Sequence, residues 1–181
     1  LKKLTYSTLW SLVIEVGRSI STFEMKSKKP VIGILSHNQL NSVLVDLACL
    51  SFGYRIVPIP LNATPKHISY IIAHAEISHL FIGEKSGIKL WNEIKDYNSV
   101  NIFSLNDNQI NINHITWEKF LEKGDASKNF DLKNKLSCLN IENIQTIMYT
   151  SGTTDNPKGI PFNHINIISK RFARALALPL I

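Results

Sequence analysis

Residues 31–59 read VIGILSHNQLNSVLVDLACLSFGYRIVPI, and the succession of patterns within them decides the fold. Pro30 precedes VIGIL, an apolar run of strand length without polar alternation, as expected of a strand buried on both faces. Asn38 then stands where a side chain can cap a helix. Val43, Leu44, Leu47 and Leu50 recur on one helical face, and Gly53 is placed to end it. RIVPI, at 55–59, is a second short apolar strand. Two such strands joined through a helix make a parallel crossover unit, because a parallel connection needs about a dozen residues.

The same alternation continues outward. Leu9, Leu12, Val13, Val16 and Ile20 follow a possible Ser7 cap at helical spacing. Downstream, Pro65 suits the first turn of a helix running to His74. HLFIG at 79–83 is a strand, followed by a helix around 88–94 and a strand around 100–103. The series predicts an α/β fold, a mostly parallel sheet with helices on both faces. Residues 105–140 are rich in Asn, Asp and Lys, with one short helical pattern, WEKFLEKG, and read as a surface excursion. NIQTIMYT at 143–150 is another strand and GIPF at 159–162 a short one. Asn163 can cap a helix that runs to about residue 178.

Composition narrows the function classes. The 181 residues are 44% hydrophobic, as in a globular protein rather than a disordered one. The net charge of +6 could attract nucleic acid or an acidic surface, but the lysines are scattered. Their densest groups, Lys26, Lys28 and Lys29 beside Lys2 and Lys3, are not interleaved with aromatics, so nucleic-acid binding is not expected. No apolar run reaches the roughly 18 residues of a membrane span, and no secretory leader is visible; a cytoplasmic location is the expectation. Cys49 and Cys138 match no zinc or redox spacing and read as buried free thiols. The chain opens at Leu1 and closes in RALALPLI, so both ends read as cut, and the exposed edges are expected to leave apolar surface.

Between the last two strands lies YTSGTTDNPKG, residues 149–159. Thr150, Ser151, Thr153 and Thr154 supply closely spaced hydroxyls, and at Gly152 no Cβ shields the backbone amides. Such a loop suits an anion: phosphate oxygens accept several hydrogen bonds at once, Lys158 offsets their charge, and a hydroxyl can ligate Mg²⁺. The Walker A pattern GxxxxGK[ST] fails here, because Pro157 replaces its second glycine and Gly159 its metal-binding hydroxyl residue.

The stretch resembles instead the signature phosphate-binding loop of the adenylate-forming, AMP-binding superfamily, [YF]-T-S-G-[ST]-T-G-x-P-K-G. The departure is Asp155, where that pattern has glycine; its carboxylate is expected to face solvent or a cation, because a triphosphate would repel it. The resemblance extends upstream through LTYSTLWSLV and the crossover units of residues 31–83. VDLACLSFG and IPLNATPKHISYII look most like long-chain fatty acyl-CoA synthetases. It implies that residues 1–181 are part of the large N-terminal AMP-binding domain of such an enzyme.

The implied activity is ATP-dependent activation of a carboxylic acid, a long-chain fatty acid before others, through an acyl-adenylate to its CoA thioester. ATP, Mg²⁺ and CoA are the implied cofactors and small-molecule partners, with at most peripheral membrane contact. Thr150, Ser151, Gly152, Thr153, Thr154 and Lys158 would clamp the phosphates. The family's adenine, ribose and catalytic-lysine motifs do not occur in this chain, so the chain alone is expected to be inactive, and no catalytic or protein metal ligand is assigned. An amino-acid adenylation domain, an aryl-CoA synthetase and a non-catalytic nucleotide-binding segment stay open as alternatives.

The remaining polar candidates carry less. His164, where relatives often have a histidine opening the next helix, reads as a cap or packing residue. His67 and His74 share a helix face without the spacing of a metal pair. Asp46 and Glu76 stand alone on helices, which gives no support to paired-carboxylate chemistry.

Overall fold

The structure is a computed structural model that describes residues 3–24, 29–94, 100–106, 114–127, 130–150 and 156–178. It begins with α1 (Tyr6–Ser21), β1 (Val31–Leu35), α2 (Leu40–Phe52), β2 (Arg55–Pro58) and α3 (Pro65–His74). After these come β3 (His79–Ile82), α4 (Glu84–Asn92), β4 (Asn101–Ser104), α5 (Trp117–Asp125) and α6 (Leu132–Ser137). The hairpin β5 (Ile144–Thr150) and β6 (Lys158–Asn163) leads into α7 (His164–Ala177). The strands form a six-stranded sheet in the order β4-β3-β1-β2-β5-β6. Every pairing is parallel except β5 with β6.

The doubly apolar strands follow from burial on both sheet faces. Ile32 and Ile34 of β1 pack with Val13, Val16 and Ile20 of α1 and with Leu44, Val45 and Phe52 of α2. Val31 and Leu35 pack on the opposite side with Ile68, Ile71 and Ile72 of α3 and Trp91 of α4. All five residues of β1 are buried, as a run without polar alternation requires.

Several local expectations are corrected. The cap of α1 is Thr5, whose hydroxyl accepts from the Thr8 amide at 3.1 Å, and not Ser7. The cap of α2 is Gln39 and not Asn38; the Gln39 amide donates to Ser42 Oγ at 3.0 Å. Gly53 does end that helix, at φ 71°, a left-handed conformation in which a Cβ is strained. The buried face of α2 is turned from the one expected: Val43 is exposed, while Val45, Ala48 and Cys49 are buried. Cys138 is exposed, so only Cys49 is a buried thiol. Glu76 lies beyond α3, at φ 54°, rather than on a helix.

The larger correction concerns residues 105–140, among whose described residues Leu105 and Phe120 belong to the core and Trp117, Leu121, Phe130 and Leu132 pack against it. Phe120 of α5 is fully buried against Phe81 and Phe103, with ring centroids 5.2 and 5.5 Å away. A Cβ at Gly124 would stand 2.2 Å from Ser19 Oγ, so α5 lies directly on α1. Lys135 of α6 pairs with Glu24, which accepts from the buried Tyr54 hydroxyl at 2.5 Å. The abundance of Asn, Asp and Lys hid these few anchors, because a short helix needs only one apolar side to dock.

His79 opens β3 inside this core. Its Nδ1 lies 2.9 Å from Ser78 Oγ, its Nε2 3.3 Å from Asn101 Nδ2, and the rings of Phe23 and Phe103 flank it. Burial pushes its pKa down to about 4 from an ordinary 6.5, so the folded protein holds the imidazole neutral. The unfolded chain binds the proton first. The stabilisation is therefore complete above pH 6.5 and is lost as pH falls from there toward 4. Thermal melting from pH 7 to pH 4 is expected to record an extra loss of roughly 2–3 kcal/mol in the protein relative to its His79→Gln variant. Parallel acid profiles for the two would contradict this.

No helix among the described residues is long and apolar enough to cross a membrane. Apolar side chains of α7, including Ile165, Ile168, Phe172 and Leu176, are exposed, as are Met148 and Ile160 on the hairpin.

Candidate functional site

In open α/β sheets ligands sit outside the carboxyl ends of the strands, often where the strand order reverses. Here the order reverses at β1, with β2 on one side and β3 on the other. That crevice is filled. The Gln39 side-chain Nε2 donates to Ser36 Oγ at 2.8 Å, and a Cβ at Gly83 would lie 2.2 Å from either group. Beside it, at the ends of β1 and β2, Ser36, Asn38, Ser42 and Asp46 line a small cavity of about 110 Å³. Burial pushes the Asp46 carboxyl above the usual carboxylate range. A larger cleft of about 660 Å³, lined by Lys29, Arg55, Glu76, Glu142 and Gln145 among others, opens at the amino ends of the strands. It lies at the opposite end of β5 from Thr150, which leads into the hydroxyl-rich stretch.

That loop leaves the carboxyl end of β5. Thr150 ends β5, Lys158 begins β6, and the two stand opposite each other in the antiparallel register. Directly opposed residues of an antiparallel pair project on the same face with Cβ atoms about 5 Å apart. The residues that carry a hydroxyl and an ammonium group thus face each other where β5 ends and β6 begins, and both are exposed. The structure brings together these two of the six expected phosphate contacts. Ser151, Gly152, Thr153 and Thr154 lie outside the described residues, as does Asp155. Pro157, just before Lys158, is buried.

Behind the roots, Tyr149 pairs with Gly159 across the hairpin. A Cβ at 159 would stand 3.0 Å from Tyr149 Cζ, so the tyrosine ring lies against bare backbone that only glycine provides. The residue is 7% exposed, and its hydroxyl lies 2.7 Å from His74 Nδ1 of α3. Burial, then the neighbouring Tyr70, pushes the Tyr149 pKa up. Nothing in the spacing of His74 marks it as part of this site. The available signal was the Tyr70–His74 aromatic pair one helical turn apart, whose rings stack at 5.2 Å.

His164 is the first residue of α7 and partly buried; burial pushes its pKa down, and its Nε2 is buried without a hydrogen-bond partner among the described residues. It packs, and Asn163 caps: Asn163 Oδ1 accepts from the Asn166 amide at 2.8 Å, and Asn166 Oδ1 accepts from the Asn163 amide at 3.0 Å. Among the described residues no group of three His, Cys, Asp or Glu could hold a metal ion. The donors at the loop roots, a hydroxyl and an ammonium, fit phosphate oxygens.

Comparison with known proteins places this geometry. Long chain acyl-CoA synthetase 4 of Arabidopsis thaliana is 27% identical over 176 residues, covering 91% of this chain and 26% of that protein. Long chain acyl-CoA synthetase 3 of the same plant is 30% identical over 175 residues, covering 91% and 25%. The chain thus spans about a quarter of the curated relatives it matches. Among solved structures, the o-succinylbenzoate CoA synthetase of Bacillus subtilis superposes with a TM-score of 0.74 at 17% identity, over 99% of this chain and 32% of that one. At that identity the likeness speaks for the fold, a mostly parallel sheet between helices. The family model described as AMP-binding enzyme matches residues 1–178, nearly the whole chain, including the loop and its roots. With that match, the paired Thr150 and Lys158 and the crossover units behind them have one common explanation: the chain belongs to the AMP-binding enzyme family.

Proposed function

We propose that the full-length protein carrying this chain uses ATP to activate a carboxylic acid as its acyl-adenylate and then passes the acyl group to the thiol of CoA. The observation that carries this reading is the opposition of Thr150 and Lys158, which sets a hydroxyl and a cation at the mouth of a loop reading SGTTDNP. As a carboxylate oxygen bonds to the α-phosphorus, the bond to the bridging oxygen breaks and negative charge collects on the departing pyrophosphate. Donors already held in place stabilise that charge without reorganising. In this reading Thr150, Ser151, Gly152, Thr153, Thr154 and Lys158 supply them. Mg²⁺, when bound with the triphosphate, adds charge neutralisation, and the loop hydroxyls are oxygen ligands of the kind it takes.

A long-chain fatty acid is the preferred substrate, because the curated relatives above are named as long chain acyl-CoA synthetases. An aryl acid is the second reading, favoured by the likeness to a synthetase named for o-succinylbenzoate. The test is pyrophosphate release by the full-length protein with ATP, Mg²⁺ and, in turn, long-chain fatty, aryl and amino acids. Release with fatty acids, followed by CoA-dependent thioester formation, is expected. Release confined to aryl or amino acids would overturn the substrate assignment. ATP binding without release from any acid would overturn the catalytic one.

A further inference from the structure

The hairpin that carries the loop has little strand support at its working end. Ile56 of β2 stands opposite Thr146 of β5 in a parallel register, so β2, which ends at Pro58, runs out opposite Met148. Tyr149 and Thr150 continue past it with β6 as their strand partner. The lateral hold on this end comes from the Tyr149 side chain, whose hydroxyl meets His74 Nδ1 at 2.7 Å while its ring lies on Gly159. His74 is itself braced: its ring stacks on Tyr70 one turn earlier in α3 and meets Tyr149 edge-on at 5.9 Å.

We propose that His74 is a positioning residue for the phosphate-binding loop: it fixes Tyr149, Tyr149 lies on Gly159, and the paired ends of β5 and β6 that carry Thr150 and Lys158 are thereby held against α3. This rests on the reading of the loop as a phosphate site. His74 lies outside the signature stretch and makes its contact from a helix on the sheet face. The simpler view is that His74 merely satisfies a buried hydroxyl. The two views differ in what they predict for ATP, since a hairpin end free to shift pays an ordering penalty when Thr150 and Lys158 take up the triphosphate, whereas simple satisfaction affects only stability.

The experiment uses the full-length protein. His74→Phe keeps a ring on Tyr70 and removes the nitrogen; Tyr149→Phe removes the hydroxyl. Each is expected to raise KM for ATP about five-fold with kcat within about two-fold, and the double variant to do no worse than either alone. His74→Asn, whose amide can replace Nδ1 as hydrogen-bond partner, is expected to restore KM to within about two-fold. Amide hydrogen exchange over residues 149–159 should quicken in His74→Phe while that of α5 is unchanged. Unaltered exchange over 149–159, additive penalties in the double variant, or a lowered melting temperature with KM unmoved would each overturn the proposal. Should the unmodified protein release no pyrophosphate with any acid, the ligase reading falls, and the exchange measurement still decides whether His74 holds the hairpin.

Discussion

The full-length protein carrying Lys158→Ala is expected to lose about 100-fold or more in kcat/KM for ATP, the scale seen when one preorganised donor is removed from developing negative charge. Lys158 stands at the first position of β6, opposite Thr150, on an exposed residue. Its exposure means that its loss should leave the melting temperature nearly unchanged. Lys158→Arg keeps the charge but changes its shape and reach, and should recover part of the activity. The readout is initial rates of pyrophosphate release over a range of ATP concentrations, with melting recorded on the same samples. Turnover unchanged in Lys158→Ala would remove the cation from the phosphate site. A large fall in melting temperature would show it to be a structural residue instead.

Phe120→Ala is expected to destabilise the protein by about 3–5 kcal/mol, seen as a melting midpoint lower by roughly 10 °C. The ring is fully buried, at contact distance from Phe81, Phe103 and Trp117, and α5 leaves no room to collapse because Gly124 is already against Ser19. Lys133→Ala, on an exposed position of α6, is the control and should shift the midpoint little. A Phe120→Ala midpoint equal to that of the control would return residues 105–140 to the surface role their composition invites.

Much of the fold is legible in individual residues. Pro65 and His74 bound α3 as read from the sequence, Gly53 ends α2, and Asn163 caps α7. Pro at the first turn, a left-handed glycine and an Asx cap each act within a few residues of chain. The errors fall where two neighbours compete for one local role, as Thr5 and Ser7 or Gln39 and Asn38 do for a cap. They fall also where a face depends on what lies across it, as with Val43.

The site divides in the same way. Its residue types, hydroxyls and a lysine between two strands, are readable because they lie close together in sequence. Their spacing in three dimensions is not, since it depends on β5 and β6 pairing antiparallel at the edge of an otherwise parallel sheet. His74 is a case of the second kind. A hydrogen bond to a residue 75 positions away leaves no periodicity to detect.

By itself, then, the sequence determined most of the strand and helix order, α6 excepted, the parallel character of the sheet and the residue types of the hydroxyl-rich stretch, all of which rest on interactions within about a dozen residues. The tertiary structure alone decided that Phe120 belongs to the core, that Gly83 lies against Gln39 and Ser36 beside the end of β1, and that Tyr149 leans on α3. Each of these joins segments far apart in the chain, and packing at such contacts is set by shape and distance, which neither composition nor spacing encodes.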